Sequence, residues 1–87
     1  MYKILIADDE TKIRETIKDY FSAKGFFVFL ASNGKEAVEL SKNNDFDLMI
    51  LDVMMPVMDG LSACKEIRKT SNIPVLFLSA LGKNTTF

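Results

Sequence analysis

The chain has 87 residues, 48% of them hydrophobic, and a formal net charge of -1. This length suits one small domain with a thin core, and the near-balanced charge provides no basic surface for nucleic acid or an anionic membrane. The chain has no histidine and a single cysteine, Cys64, which excludes histidine-based catalysis, an internal disulfide and a zinc site.

No segment of the sequence has the features of a membrane span or a leader peptide. The longest apolar runs fall far short of the roughly 18 residues that a bilayer helix needs. The N-terminus lacks a basic segment followed by an apolar stretch and a small-residue cleavage site. We therefore expect a cytoplasmic protein that binds neither a membrane nor nucleic acid directly.

The first half of the chain alternates strand-like and helix-like patterns. Lys3 to Ala7 is an apolar run typical of a strand, and Glu10 to Lys24 has helical periodicity that ends at Gly25. The apolar face of that helix would consist of Ile13, Ile17, Tyr20 and Phe21. The run from Phe27 to Ala31 predicts a second strand, and Asn33, with a glutamate three residues later, predicts the N-cap of a second helix.

The second half continues this alternation. Leu48 to Leu51 predicts a third strand, and Pro74 to Ser79 predicts a fourth. Between them the sequence MMPVMDG, residues 54–60, predicts a loop, and Asp59 could cap a third helix. The inward face of that helix would consist of Leu61, Cys64 and Ile67.

Helices that alternate with short, almost continuously apolar strands are typical of a parallel sheet covered by helices on both faces. The sequence therefore predicts a doubly wound α/β fold. In the flavodoxin-like strand order 2-1-3-4-5, the first and third strands are neighbours, and ligands bind in the crevice at their carboxyl ends. The acidic residues that would lie in this crevice are Asp8, Asp9 and Asp52.

The expected chemistry of the crevice follows from these carboxylates. Clustered carboxylates raise one another's pKa unless a cation lies between them, and an oxygen-only cluster suits Mg²⁺, with Mn²⁺ as the other candidate. Magnesium is commonly bound by one or two carboxylates and a phosphate oxygen, so phosphoryl transfer is the expected reaction class. Asp52, alone at its strand end, is the best candidate nucleophile, and the hydroxyl of Ser79 could hydrogen-bond a phosphoryl oxygen.

Three motifs, ILIADDE, LMILDVMMPVMDG and PVLFLSA, resemble the receiver domain of two-component response regulators, and they span nearly the whole chain. The resemblance implies a flavodoxin-like (βα)5 fold and a phosphorylation-controlled signalling switch rather than a metabolic enzyme. It also implies that Asp52 accepts a phosphoryl group from a sensor histidine kinase in a reaction that depends on Mg²⁺.

The same resemblance assigns the other site residues. Mg²⁺ would be bound by Asp9, Asp52 and the backbone carbonyl of Met54, while Asp8 would assist, largely through water. Ser79 would be the switch hydroxyl. Two further residues match the loop after the phosphoacceptor, where a proline fixes a backbone torsion and a glycine allows a tight turn, namely Pro56 and Gly60.

Receiver domains normally continue with a fourth helix, a fifth strand that carries an essential lysine, and a fifth helix, whereas this sequence stops at LGKNTTF. We therefore expect residues 1–87 to be a single receiver domain that is truncated after the fourth strand, with phosphorylation impaired because the lysine is missing. The apolar fourth strand would lie at an open sheet edge, and such edges recruit other chains. The expected assembly is a homo-oligomer or a domain-swapped dimer through that strand.

Two other functions remain open on the sequence. The chain could be a non-signalling module that self-associates, or an inactive fragment whose acidic site is vestigial. Flavin or nucleotide binding at the same crevice is disfavoured because the first loop presents DDE, where a phosphate cradle would offer Gly, Ser or Thr.

Overall fold

The computed structural model of the chain describes residues 2–78, in which four strands alternate with three helices. In chain order these are β1 (Lys3–Ala7), α1 (Thr11–Ala23), β2 (Phe27–Ala31), α2 (Gly34–Asn43), β3 (Leu48–Asp52), α3 (Gly60–Arg68) and β4 (Val75–Leu78). Each predicted strand and helix has a counterpart in this range, although Ser79, the last residue of the predicted fourth strand, lies outside the described residues. None of these helices has both the length and the apolarity that a bilayer span requires.

The four strands form one parallel sheet in the order β2-β1-β3-β4. The predicted flavodoxin-like α/β fold is therefore confirmed, with β1 and β3 as neighbours. Ala7 pairs with Leu51, so β1 and β3 reach their carboxyl ends at the same level. On the other side of β3, Asp52 pairs with Leu78 of β4. The residues that follow β1 and those that end β3 thus meet at one end of the sheet.

Side chains on each strand alternate between the two faces of the sheet. The face under α2 and α3 includes the buried strand residues Leu5, Ala7, Met49 and Leu51. The opposite face includes Ile4, Ile6 and Ile50, against which Ile17 and Phe21 of α1 pack. Helices therefore pack on both faces, as the nearly continuous apolar strands predict.

Two predicted core positions are wrong. Leu61, predicted on the inward face of the third helix, is 57% exposed, and Tyr20, predicted on the apolar face of the first, is 59% exposed. The buried face of α3 consists of Gly60, Ala63 and Ile67. Because successive helical residues are rotated by about 100°, Leu61 turns away from that face.

Candidate functional site

Two aspartates in different environments follow β1. Asp8 is fully buried, and its N–H donates to the carbonyl of Ala31 in β2 (3.1 Å), so it extends the strand pairing by one residue. Its Oδ1 accepts a hydrogen bond from the N–H of Glu10 (2.8 Å), an Asx-type turn that leads into α1. Asp9, between them, is exposed. The turn therefore keeps one carboxylate inside the fold and presents the next one to solvent.

Asp52 is the last residue of β3 and is fully buried. Since Ala7 pairs with Leu51, Asp8 and Asp52 follow at equivalent positions on neighbouring strands, which lie about 4.8 Å apart in a sheet. Asp52 Oδ1 accepts a long hydrogen bond from the N–H of Met54 (3.4 Å), where the chain turns away from the strand. The two buried aspartates therefore lie at the predicted crevice.

Within residues 2–78, the group of carboxylates whose oxygens all lie within 4.8 Å of one another consists of Asp8, Asp9 and Glu10. Their oxygens are hard donors of the kind that Mg²⁺ prefers, so the residues fit the predicted cation. Glu10 is absent from the predicted ligands, although it ends the DDE motif; it occupies the N-cap of α1, and its side chain does not form the cap hydrogen bond. Asp52 is outside this group, and its role as a ligand, like that of the Met54 carbonyl, stays a prediction.

The β3–α3 loop, residues 53–59, contains a strained turn. The carbonyl of Pro56 accepts a hydrogen bond from the N–H of Met58 (2.7 Å), which closes a γ-turn around Val57. Val57 has a φ of 68°, an unfavourable value for a β-branched residue, and it is 77% exposed. The proline predicted to fix a torsion therefore starts a turn whose strain falls on the following residue.

Gly60 begins α3 and is buried against the end of β3. Its N–H donates to the carbonyl of Val53 (2.9 Å). A Cβ at Gly60 would lie 2.9 Å from the carbonyl carbon of Asp52 and closer still to the carbonyl oxygen. Positive φ is found at Gly25 rather than at Gly60, so the structure requires glycine at position 60 for close approach. This contact packs the start of α3 directly on the residue predicted to accept the phosphoryl group.

Side-chain caps start both helices next to the loop. Asn33 accepts from the N–H of Glu36 (2.9 Å) before α2, and Asp59 accepts from the N–H of Ser62 (2.7 Å) before α3, as predicted. Hydrogen bonds from the backbone and side chain of Ser32 hold the pKa of Glu36 below its ordinary value, and hydrogen bonds from Ser62 lower the pKa of Asp59. Both carboxylates are therefore ionised at neutral pH.

The start of α2 also contacts the β3–α3 loop. The N–H of Gly34 donates to the carbonyl of Met58 (2.9 Å). A Cβ at Gly34 would lie 2.9 Å from the carbonyl oxygen of Asp59, so this contact also depends on glycine. The loop that follows Asp52 is therefore attached to α2 at one point and to α3 at another.

An open cleft of about 510 Å³ lies beside the acidic turn. Its lining residues are Asp9, Val53, Met54, Met55, Pro56, Asp59 and Leu61. The volume is in the range of small-molecule pockets, and the exposed Met54 and Leu61 supply apolar surface. Asp9 is the member of the acidic group that lines this cleft, so an entering molecule would meet its carboxylate.

Asp8, Asp9 and Asp52 thus lie at the carboxyl ends of two neighbouring strands. Pro56 lines the adjacent cleft together with Asp9, and Gly60 contacts the main chain of Asp52. Ser79, the predicted switch hydroxyl, lies outside the described residues, and its role stays a prediction.

Comparisons with known proteins identify the family of the chain. A family model for the response regulator receiver domain matches residues 4–87. The probable transcriptional regulator ycf27 of Guillardia theta is 48% identical over 80 residues, which make up 92% of this chain and 32% of that protein. This chain thus spans about a third of the length of such curated relatives.

Solved structures show the same fold. The receiver domain of the Francisella response regulator 1452 has a TM-score of 0.87 and 42% identity, over 99% of this chain and 70% of that one. The response regulator TrrA of Thermotoga maritima, solved in complex with Mg²⁺ and BeF, has a TM-score of 0.86 and 37% identity, over 95% of this chain and 73% of that one. The chain therefore belongs to the response regulator receiver domain family of two-component signalling.

Proposed function

We propose that this chain accepts a phosphoryl group from a sensor histidine kinase onto Asp52, in a reaction that requires Mg²⁺. The observation that carries the proposal is the position of two buried carboxylates, Asp8 and Asp52, on neighbouring strands, with Asp9 lining the adjacent cleft. An ionised carboxylate is costly to bury unless its charge is offset, and ligands of doubly wound sheets bind at the carboxyl ends of the strands. Both points support a ligand site at these two aspartates. Membership of the receiver family supports the same roles.

In the proposed reaction, a carboxylate oxygen of Asp52 attacks the phosphorus atom of the donor. A new O–P bond forms while the bond from phosphorus to the imidazole nitrogen of the kinase breaks, and its electron pair stays with that nitrogen. The product is an acyl phosphate on Asp52. The N–H of Met54, which contacts Asp52 Oδ1, helps to orient the attacking carboxylate.

The cation would be bound by the oxygens of the acidic turn. Asp8, Asp9 and Glu10 present the grouped carboxylates, and Asp52 and the Met54 carbonyl complete the proposed ligand set. Mg²⁺ is the proposed ion, and Mn²⁺ shares its preference for oxygen. When bound, the ion would offset the negative charge of the carboxylates and of the phosphoryl oxygens.

The proposed output is a conformational switch that starts in the β3–α3 loop. Phosphorylation adds negative charge at the end of β3, beneath a loop that is hydrogen-bonded to Gly34 of α2 and Gly60 of α3. Ser79 would sense the modification through its hydroxyl. Control of transcription is the proposed consequence, since the curated relatives are named probable transcriptional regulators.

The test is intact-protein mass spectrometry after incubation with Mg²⁺ and acetyl phosphate, a small acyl-phosphate donor. The unmodified sequence should gain one phosphoryl group, Asp52→Asn should gain none, and Asp9→Asn should need a higher Mg²⁺ concentration. Asp19→Asn, on the exposed side of α1, is the matched control and should be labelled normally. A folded wild-type sample without an adduct, or an adduct that survives in Asp52→Asn, would refute the proposal.

A second candidate function is self-association through β4. This strand lies at the edge of the sheet formed by residues 2–78, and its Leu76 and Phe77 are 57% and 41% exposed. Consecutive strand residues point to opposite faces, so apolar surface is exposed on both sides of the strand. Such edges pair with other chains. In this alternative, β4 forms a homo-oligomer or a domain-swapped dimer and the acidic site is vestigial.

A further inference from the structure

Arg14 connects α1 to the acidic turn that precedes it. It is the fourth residue of α1 and is half-buried. Its Nη1 donates to the backbone carbonyl of Asp8 (2.7 Å), and its Nη2 donates to the hydroxyl of Thr11 (3.2 Å). Its own N–H donates to the carbonyl of Glu10 (3.0 Å). One residue therefore contacts the main chain on both sides of Asp9.

The contact with Asp8 controls the orientation of a particular peptide group. The Asp8 carbonyl belongs to the peptide that joins Asp8 to Asp9, and a charge-assisted hydrogen bond from a guanidinium fixes the plane of that peptide. The hydrogen bond from the Glu10 N–H to Asp8 Oδ1 fixes the following part of the turn. With both parts fixed, the direction in which the Asp9 side chain leaves the backbone is also fixed.

The charge of Arg14 has two opposing effects on a cation. It reduces repulsion among the neighbouring carboxylates, and it repels an incoming positive ion. The charge also acts beyond the turn, since Arg14 contributes to the lowered pKa of Glu36 after the larger effect of the Ser32 hydrogen bonds. Salt screens charges near the surface, whereas a directional hydrogen bond is retained. The hydrogen bond of Arg14 should therefore affect cation binding more than its charge does.

We infer that Arg14 is a positioning residue for the cation site and holds the turn of Asp8, Asp9 and Glu10 in its binding geometry. This rests on the proposed function, because it concerns the same carboxylates. Removal of a group that supports metal ligands typically weakens metal binding by about 10- to 100-fold. A loss of about tenfold is expected here, since the hydrogen bond from Glu10 to Asp8 remains in place.

Mn²⁺ binding to the full chain tests this, measured from the electron paramagnetic resonance signal of free Mn²⁺. Arg14→Ala removes the side chain, whereas Arg14→Lys keeps the charge but loses the planar fork that reaches two acceptors. Lys12→Ala is the matched control, because it removes the same charge from an exposed position on α1. We expect the Mn²⁺ dissociation constant to rise about tenfold in both Arg14 variants and by less than about twofold in the control.

Urea unfolding establishes that each variant is folded; if Arg14→Ala does not fold, Arg14→Lys, which keeps most of the aliphatic stem, decides the outcome. A dissociation constant that is unchanged in Arg14→Lys would show that charge alone matters and would overturn the positioning role. Wild-type protein that fails to bind Mn²⁺ would overturn both this inference and the proposed cation site. Binding by the wild type that both Arg14 variants retain would overturn the inference alone.

Discussion

Gly60 contacts the main chain of Asp52 at a point where a side chain has no room. Gly60→Ala would force a Cβ into the Asp52 carbonyl, so the free energy of unfolding should fall by roughly 2–3 kcal/mol. Labelling of Asp52 by acetyl phosphate should also slow, because the end of β3 must shift to relieve the contact. Urea unfolding and the rate of adduct formation measure the two effects.

Gly25 provides the matched control for this change. Gly25 has a φ of 89°, and within residues 2–78, apart from its chain neighbours, no atom lies within 4 Å of the position that a Cβ would take. Gly25→Ala therefore introduces backbone strain without a collision. It should cost about 1 kcal/mol of stability and leave the labelling rate unchanged. Equal labelling rates in the two variants would show that the contact between Gly60 and Asp52 has no part in the site.

Substitution of Val57 should raise the stability of the fold rather than lower it. Because its φ of 68° is unfavourable for a β-branched side chain, Val57→Gly should stabilise the fold by about 1 kcal/mol, after the entropy cost of glycine is subtracted. Val57→Ala, which keeps a Cβ, should gain less. Chemical denaturation of the three proteins measures this order, and a Val57→Gly protein less stable than wild type would mean that the turn is not strained.

The sequence predicts the place of Asp8, Asp9 and Asp52 because residues that follow or end neighbouring parallel strands meet at one end of the sheet. It does not predict that Glu10 joins the group, because that depends on a turn closed by the Asp8 side chain. It misplaces Leu61 because helical spacing alone does not show that the small residues of α3 face inward. Close packing against a strand, rather than hydrophobicity, decides which face of α3 is buried.

At the level of elements, the β3–α3 loop connects Asp52, the proposed phosphorylation site, to two helices. Its attachments to α2 and α3 are backbone hydrogen bonds from glycine N–H groups, both 2.9 Å long. Helix starts are predicted well from the sequence, since Asn33 and Asp59 cap the helices to which the sequence assigns them. The contact between α2 and the loop is not predicted, because nothing local in the sequence pairs Gly34 with Met58.

The start of α2 should make stability depend on pH. Glu36 accepts hydrogen bonds from the N–H (2.7 Å) and hydroxyl (2.9 Å) of Ser32, which lower its pKa below the ordinary value of 4.5. The folded state therefore favours the ionised form, so this contribution to stability is complete above pH 4.5 and is lost as the pH falls through the lowered pKa.

Glu36→Gln should consequently lower the urea midpoint at neutral pH, and its difference from wild type should narrow at about pH 3. The hydrogen-bond acceptor is kept in this variant, so the comparison isolates the charge. Glu39→Gln, exposed on the same helix, should change the midpoint little at either pH. A difference between wild type and Glu36→Gln that is the same at both pH values would exclude the electrostatic contribution.

At the scale of the whole molecule, the strand order could be predicted because apolar strands that alternate with helices allow few topologies. Local periodicity gave the elements, and the general rule for doubly wound sheets gave their order. Self-association does not follow from the strand order, because it depends on what covers β4. Because Leu76 and Phe77 are exposed on this edge strand, self-association through β4 can be tested by substitution.

A charged side chain on β4 should dissociate any oligomer that forms through this strand. Leu76→Lys places a lysine on an exposed edge position and should convert an oligomer to a monomer at micromolar concentration. Phe27→Lys is the matched control, since Phe27 is 54% exposed on β2, at the opposite edge of the sheet. Analytical ultracentrifugation distinguishes the two, and a wild-type protein that is monomeric throughout would rule out self-association through β4.

The identity of the phosphorylated residue tests the central claim most directly. Borohydride reduces an acyl phosphate to an alcohol, so a phosphorylated aspartate becomes homoserine, which tandem mass spectrometry locates in the sequence. After labelling with acetyl phosphate and Mg²⁺, homoserine should replace Asp52 and no other aspartate, and it should be absent when Mg²⁺ is chelated. Homoserine at Asp8 or Asp9, or none in a folded and labelled sample, would contradict an acyl phosphate on Asp52.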